Sequence, residues 1–570
     1  MTEEMDLKHL EYIRIQSKQR FDKVKGTWIE CGKWALPHRV RWMLSQTEGE
    51  RNNQHIVDMT HKLALRSCVA GFLEGNTSAS RPWYRVGIQD QDLAKRSDVK
   101  EWLDIFTKRT LSNLSSSNFY HAAGEFYFDY HVFNTGTYWI DETENGPHYT
   151  VLAPGSYYLM NNPLGLADVL VREYSMTVKQ VVQQFGKKRN GSYDWSNFSD
   201  RVKNCYTDAN YSHKVNICSI TMQNKMFDYN SPIGGSNRQW VTISYEVGAS
   251  SGHYDPQSTY GYTGDYAKSD IALDISYSAR KPFIAGRSPS TENFEYGETG
   301  PTLDALGTIK SLNKKAISKD VALDQMIRPT VQGPASLRKS YVTTAPGGYV
   351  PLDAQAIASK GLQRVFEINP AIGALVQDVS DLRSMIDKIY YADFLLHLSR
   401  NPKTRTAAEV HAVVQEQQLI VGPNLQSLNF SHNDPHVDYI MQYTLAEDPY
   451  LPPIPEDLGD QWLRTEYISV FAQAQKAADL SGIERYLAFV QQVGQIDPSI
   501  FQKANLDKIA DIYEDRLFLP AGINRDQQEV DAKREQAMMM QQRQQMLNET
   551  LPSVAGAVKD IGSLQKGERQ

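Results

Sequence analysis

Apolar residues recur at helical spacing from the start of the chain. Leu7, Leu10 and Ile13, then Phe21, Val24 and Trp28, with Lys and Arg between them, predict helix through the first hundred residues. The pattern continues from Val57 to Leu73 and breaks at Arg81-Pro82-Trp83. From Asp98, the residues Val99, Trp102, Leu103, Phe106 and Thr110 share one face, which predicts an amphipathic, core-facing helix. Between about Gly136 and Ser278 the period changes to two. Thr137-Tyr138-Trp139-Ile140 and His148-Tyr149-Thr150-Val151-Leu152 flank Glu144-Asn145-Gly146, a hairpin signal. Further strands are predicted at Asp168–Tyr174, Lys214–Met222, Gln239–Val247 and Ile271–Ser278, with Gly-, Ser- and Tyr-rich loops such as Gly248–Asp265 between them. Helices preceding a β-rich layer predict an α+β fold.

Helical spacing returns after Tyr296-Gly297-Glu298-Thr299-Gly300-Pro301. Leu303, Leu306, Ile309, Leu312, Ile317 and Val321 form a stripe to Met326, and Pro329 stops it. A Gly/Pro-rich segment follows, with Gly333-Pro334, Pro346-Gly347-Gly348, Pro351 and a β-like piece at Ser340–Thr344. Asn369-Pro370 opens a second long helix faced by Ile372, Leu375, Val376, Val379, Leu382, Ile386, Ile389 and Tyr390, expected to reach about Leu396. After the basic turn Arg400-Asn401-Pro402-Lys403-Thr404-Arg405, the capping box Thr406-Ala407-Ala408-Glu409 starts a third helix, with a kink expected at Gly422-Pro423. Leu451-Pro452-Pro453-Ile454-Pro455 reads as a rigid connector. Helices are expected over Tyr467–Val493 and Ile500–Leu517. The Gln/Met-rich stretch Arg525–Met546 reads as an exposed helix or partner-dependent coil.

At 570 residues, several domains are expected, and 41% hydrophobic with 22% charged residues suits packed cores. No stretch reaches the roughly 18 uninterrupted apolar residues of a membrane span. The first residues, with Glu3, Glu4 and Asp6, do not read as a signal peptide. Four scattered cysteines (Cys31, Cys68, Cys205, Cys218) give no Cys-x-x-Cys pair, which argues against a zinc ribbon and for folding in a reducing compartment. A net charge of −7 disfavours a sequence-specific nucleic-acid reader, but not a surface that DNA slides past.

Chemistry is sparse. There is no phosphate loop, Gly-x-Ser-x-Gly elbow or His-Glu-x-x-His pair. His432-Asn433-Asp434-Pro435-His436 could chelate, yet no third ligand cluster is visible, and it reads as a polar loop. His55 and His61 are expected in structural roles, and Asp141-Glu142 as solvated hairpin-turn residues. No nucleophile, base and orienting group come together, so neither an enzyme nor a cofactor is expected. The basic turn is the most pointed candidate: an ordinary solvated loop, or one that touches a polyanion.

These landmarks, in order, resemble the head-to-tail connector, or portal, family of short-tailed bacteriophages. The matching stretches are Arg81-Pro82-Trp83 leading to Val99–Leu103, Ser117-Asn118-Phe119, Asn134-Thr135-Gly136-Thr137 and Val171-Arg172-Glu173-Tyr174 before the helix ending Phe185-Gly186. They continue with Tyr296-Gly297, Gly300-Pro301, Ile309–Asn313 and Thr406-Ala407-Ala408-Glu409-Val410. Each is weak alone; their spacing over roughly residues 80 to 460 carries the match.

The resemblance implies a homo-oligomeric ring, usually of twelve copies, at one capsid vertex of the virion, assembled in the host cytoplasm. It maps residues 1–295 and 406–460 to a helical and β wing, 296–327 and 370–397 to a two-helix stem, and 328–369 to a small α/β clip. Residues 398–405 become a channel loop, 461–525 a helical crown, and 526–570 a short barrel or disordered tail. Stem packing then falls to Leu306, Ile309, Leu375, Val379, Leu382 and Ile386, and DNA contacts in the channel to Arg400, Lys403 and Arg405. Clip docking falls to Arg338, Lys339, Tyr341 and Tyr349. The implied partners are passing double-stranded DNA, the terminase large subunit, the tail adaptor, capsid and scaffolding proteins and inner core proteins, with no membrane. A tail or adaptor ring component is the alternative, but adaptors are much shorter. A DNA-processing enzyme would need the carboxylate cluster or phosphate loop that the sequence lacks.

Overall fold

The structure, a computed structural model of the full chain, describes residues 7–44, 53–90, 93, 96–144, 146–189, 192–247, 253–254, 262–263, 272–292, 294–334, 344–352, 363–365, 372–392, 422–459, 462–468, 482–483, 485–493, 509, 533–540 and 542–543. Two units emerge: one of Met1–Trp83, Arg109–Leu451 and Ser469–Gln475, the other of Tyr84–Lys108, Pro452–Ile468 and Lys476–Gln570.

The first unit opens with α1 (Leu7–Ala35), α2 (Arg41–Leu44) and α3 (Thr60–Asn76). Along α1 the buried stripe is Leu10, Arg14, Ser17, Phe21, Trp28, Cys31 and Ala35. Arg14 is tolerated there because Glu11 and Glu173 both pair with it.

The chain then enters the second unit as β1 (Tyr84–Ile88), a strand where helix was expected, and starts α4 (Ser97–Ser116). In β1 the alternating burial of Tyr84, Val86 and Ile88 has period two, which the short sequence run hid. Val99, Trp102, Leu103 and Phe106 are buried on α4 as expected, and Trp102 stacks on Phe106 at 5.0 Å.

Back in the first unit, α5 (Phe119–Phe133) was not foreseen. It is buried nearly all round by Phe119, Phe126, Tyr127, Tyr130 and Phe133, so it lacks the polar face that marks a surface helix. Next come β2 (Thr135–Thr143), β3 (Gly146–Val151), β4 (Tyr157–Asn161) and β5 (Ala167–Thr177), then α6 (Val178–Phe185). Short β6 (Lys188–Arg189) and β7 (Ser192–Tyr193) pair as a hairpin before α7 (Asp200–Thr207). β8 (Lys214–Gln223) and β9 (Trp240–Glu246) follow. Within the Gly248–Asp265 stretch only β10 (His253–Tyr254) and β11 (Tyr262–Thr263) are described, paired antiparallel. β12 (Asp274–Ser278) and β13 (Phe283–Arg287) complete the layer.

A five-stranded antiparallel sheet has the order β12-β9-β8-β5-β4, and a three-stranded one the order β13-β2-β3. The β2–β3 hairpin pairs Tyr138 with Val151 and Thr143 with Gly146, as the turn signal predicts. Asp141 and Glu142 are exposed as expected but lie in β2 rather than in the turn, and the Arg280 guanidinium donates to both Glu142 oxygens at 2.8 and 2.9 Å.

Then come α8 (Pro301–Ile327) and a three-stranded sheet of β14 (Val331–Pro334), β15 (Tyr349–Leu352) and β16 (Gln363–Arg364). There β14 pairs parallel with β15 and antiparallel with β16. The next helix, α9 (Ile372–Ile389), breaks at Tyr390-Tyr391, where Tyr391 takes φ 56° in the left-handed region; Ala392 is helical again, and the expected end at about Leu396 lies outside the described residues. The third helix's capping box lies outside the described residues.

Helix is described again from residue 422, with a π-turn at Asn429–Asn433 leading into α10 (Asp434–Glu447). The expected polar loop at His432–His436 is therefore a buried helical segment: Ser431, His432, Asn433 and His436 are all buried. Pro435 lacks an N–H and would crowd the carbonyl one turn back; the wider π-turn immediately before it accommodates both.

In the second unit β17 (Leu463–Tyr467) pairs antiparallel with β1, Ile88 opposite Leu463, where helix was expected to begin at Tyr467. Helical residues are described at 485–493 and 533–540, with Met538, Met539 and Met540 exposed.

Candidate functional site

The helices α8 and α9 bracket the β14–β16 sheet, and their root is locked by two tight turns. Asn134 ends α5 with φ 59°, and its carbonyl accepts from the Ser288 amide at 3.0 Å. The Gly297 amide donates to Thr135 Oγ1 at 3.0 Å. A Cβ on Gly297 would overlap the Asn134 carbonyl, and one on Gly300, the residue before α8, would overlap the Asn134 side chain. Gly136 and Gly286 lie against the Phe126 ring, where a Cβ would come within 2.7 and 2.6 Å. The Asn134-Thr135-Gly136 and Tyr296–Pro301 motifs are thus two halves of one joint.

From that joint α8 and α9 run antiparallel. Tyr390, at the end of α9, donates to Thr302 Oγ1 in the first turn of α8 at 2.9 Å, and Asp378 pairs with Lys315. Ala305, Leu306, Ile309, Leu312 and Ala316 are buried on α8, and Val379, Ile386 and Tyr390 on α9; Leu375 and Leu382 are half-buried. Asn313 holds the segment before α3: its Oδ1 accepts from the Val57 and Asp58 amides at 2.8 and 2.9 Å. Arg383 donates to Asp58 Oδ2 at 2.8 Å. Burial alone would raise the Asp58 carboxyl, but hydrogen bonds from Thr60 and Arg383 outweigh it and hold it below the usual carboxylate range. Periodicity did not reveal Asp58 or Arg383. Asn313 carried a signal, a polar residue in a buried stripe.

The outer half of the pair is different. Ile317 and Val321 are 45% and 50% exposed, and Met326 is 46% exposed. At roughly 100° per residue, Ile317 and Val321 lie to one side of the buried α8 stripe and Met326 to the other. On α9, Val376 and Met385, also about half exposed, flank its buried stripe on opposite sides. Ile317 and Val321 were expected in one stripe with Leu306 and Ile309; the structure turns them outward.

Of the segment between the helices, Arg338, Lys339 and Tyr341 lie outside the described residues, as do Arg400, Lys403 and Arg405 of the basic turn. Tyr349 lies on β15 and is 7% exposed. The histidines of the 432–436 segment stack in an aromatic layer: His432 on Phe126 and His436 on Phe119, each at 4.2 Å between ring centres. Burial lowers His432 to about 4 and holds His436 well below its ordinary value. Among the described residues no group of three His, Cys, Asp or Glu side chains could hold a metal ion, and no helix is long and apolar enough to cross a membrane.

The sequence profile of the family described as bacteriophage head to tail connecting protein matches residues 7–523. The chain is 28% identical over 524 residues to the portal protein of Salmonella phage epsilon15, covering 91% of this chain and 89% of that protein. It is 28% identical over 506 residues to the probable portal protein of Bordetella phage BPP-1, covering 86% and 83%. A solved chain from a native gene transfer agent virion covers 80% of this chain at 11% identity with a TM-score of 0.33, too slight a likeness to fix a fold. Portal proteins are structural, ring-forming components of the phage capsid. With the family profile spanning most of its length, this chain belongs to the bacteriophage head-to-tail connecting proteins.

Proposed function

We propose that the chain is a portal subunit that closes into a ring, of twelve copies by the family's usual number, at one capsid vertex. The ring serves as conduit for genome packaging and ejection. The supporting observation is the pair α8 and α9, joined on one face and apolar on both flanks. A helix pair with a single neighbour needs one apolar flank; a member of a closed ring has a neighbour on each side and meets them through different surfaces. The pair is then the stem (296–327 and 370–397), and the segment 328–369 the clip. Residues 1–295 and 406–460 form the wing, 461–525 the crown and 526–570 the tail.

In this reading the clip docks the terminase large subunit during packaging and the tail adaptor afterwards, with Arg338 and Lys339 as its cationic contacts. Arg400, Lys403 and Arg405, in a channel loop at 398–405, touch passing DNA. The net charge of −7 suits transit, because a lumen that bound phosphates tightly would hold DNA still, while a few cations make transient contacts. Replacing Lys403 and Arg405 with Ala should leave rings intact and alter packaging or DNA retention; unchanged packaging contradicts the channel loop. Deleting residues 335–365 should abolish adaptor docking while the rest folds; tailed particles from that deletion contradict the clip.

A further inference from the structure

The segment from Val178 to Lys214 is a small lobe with its own core. Val178, Val181 and Val182 of α6 meet Val202 of α7 and Val215 and Ile217 of β8. Around them Tyr193, Trp195 and Tyr206 pack edge to face or tilted, with ring centres 5.4 to 6.2 Å apart. The capping box Thr177–Gln180 starts α6, and Ser199 caps α7 by accepting from the Val202 amide at 3.2 Å. The lobe owes its order to these contacts and needs no ligand for it.

Its charge is opposite to that of the chain. Val178–Lys214 holds seven Lys or Arg against three Asp, a net of +4, whereas the whole chain is −7 and the remainder therefore −11. From Val178 to Tyr193 there is no acidic residue, and Lys187-Lys188-Arg189 sits at the β6–β7 hairpin. Lys179, Lys187, Arg201, Lys203 and Lys214 are all exposed, and in the described structure none of these five makes an ion pair. Gln183, Gln184 and Asn204 are exposed beside them, so the outer faces of α6 and α7 are rich in donors.

We propose that this lobe binds the phosphate backbone of duplex DNA, without sequence preference, as a contact separate from the basic turn at Arg400–Arg405. Three features favour a polyphosphate over an acidic protein surface. Phosphate contacts are made by Lys, Arg, Asn and Gln, the residues exposed here. Protein interfaces are instead depleted of Lys at their centre and anchored by aromatic side chains. The lobe's aromatics Tyr193, Trp195, Phe198 and Tyr206 are spent in its own core, leaving Tyr211, 43% exposed, at the edge. That same lack of exposed rings argues against single strands, which bind by stacking bases on aromatic side chains.

The test uses the full-length protein and a labelled duplex of arbitrary sequence, with binding followed by fluorescence anisotropy across a salt series. Each lost phosphate contact should reduce the slope of log affinity against log salt by roughly 0.9. The quadruple variant Lys179→Gln/Lys187→Gln/Arg201→Gln/Lys203→Gln should lose affinity at least about tenfold and flatten the slope by roughly 2 to 4. These residues are exposed, so its circular dichroism should match the parent. A control with the same charge change elsewhere, Lys23→Gln/Lys33→Gln/Lys108→Gln/Lys225→Gln, should keep the slope within about 1.

Equal loss in both variants overturns the lobe as a site. Single-stranded DNA binding more tightly than the duplex, or polyglutamate bound by the parent and lost in the lobe variant, overturns the assignment to duplex phosphate. Loss of oligomer with unchanged DNA binding assigns the lobe to contacts between copies and overturns it as well. The triple variant Arg400→Gln/Lys403→Gln/Arg405→Gln distinguishes this contact from the channel loop, because the lobe's share of the slope survives in it.

Discussion

The Asn118 side chain bonds the Tyr149 backbone at both polar groups: its Nδ2 donates to the carbonyl oxygen at 2.8 Å, and its Oδ1 accepts from the amide at 2.7 Å. A side-chain amide here takes the place of one more residue in the ladder beside β3, fastening the start of α5 to the hairpin. Ser117 Oγ accepts from the Phe119 amide at 3.1 Å, which fixes the turn that presents it. The Ser117-Asn118-Phe119 motif is therefore a fold determinant.

Replacing Asn118 with Ala leaves both Tyr149 backbone groups without this partner, at about 2–4 kcal/mol. Asn118→Asp, which keeps the acceptor but sets a carboxylate oxygen against the Tyr149 carbonyl, should destabilise as well. Urea unfolding measures both, and a cost under about 0.5 kcal/mol for Asn118→Ala contradicts the bond's role.

Gly300 and Gly297 face different parts of Asn134, the side chain and the carbonyl. Gly300→Ala should cost about 1–3 kcal/mol and be largely rescued by Asn134→Gly, which removes the obstructing side chain and tolerates φ 59°. Gly297→Ala should not be rescued, because the obstructing carbonyl remains. A double-mutant cycle with equal coupling for both glycines refutes this geometry.

Burial holds His432 near pH 4 and His131 near 3, against an ordinary value of 6.5. Between pH 6.5 and those values the unfolded chain takes up protons that the folded chain refuses. Stability is therefore full above 6.5 and falls as pH drops, by up to about 1.4 kcal/mol per unit for each histidine. His432→Phe, which keeps the stack on Phe126, should flatten the slope between pH 6.5 and 5. An unchanged slope in denaturant titrations rules out His432 as a source.

Much of this architecture was legible in sequence wherever one face of an element meets solvent. The α4 stripe, the β2–β3 turn and the Pro301 start of α8 each carried a local signal. Elements buried on all sides did not: α5 and the π-turn before α10 lack a polar face, so Phe119–Phe133 showed no amphipathic period and His432–His436 read as a polar loop. The joint at Asn134, Gly297 and Gly300 was visible only as ordered motifs, because its cause is contact between residues far apart in sequence. The pairing of Asp58 with Arg383 is non-local in the same way.

The exposed flanks of the stem pair give the assembly its own prediction. Ile317→Asp with Val376→Asp should leave unfolding of the isolated subunit within about 0.5 kcal/mol, since both side chains are half exposed. It should also abolish higher oligomers in analytical ultracentrifugation. Intact oligomers in the double variant exclude these flanks from the subunit contact.

The most direct measurement is electron microscopy of the purified full-length protein. A portal subunit should give closed rings with a central hole, and the Ile317→Asp/Val376→Asp variant should give none. Monomers at every concentration, or open filaments in place of closed rings, contradict the account.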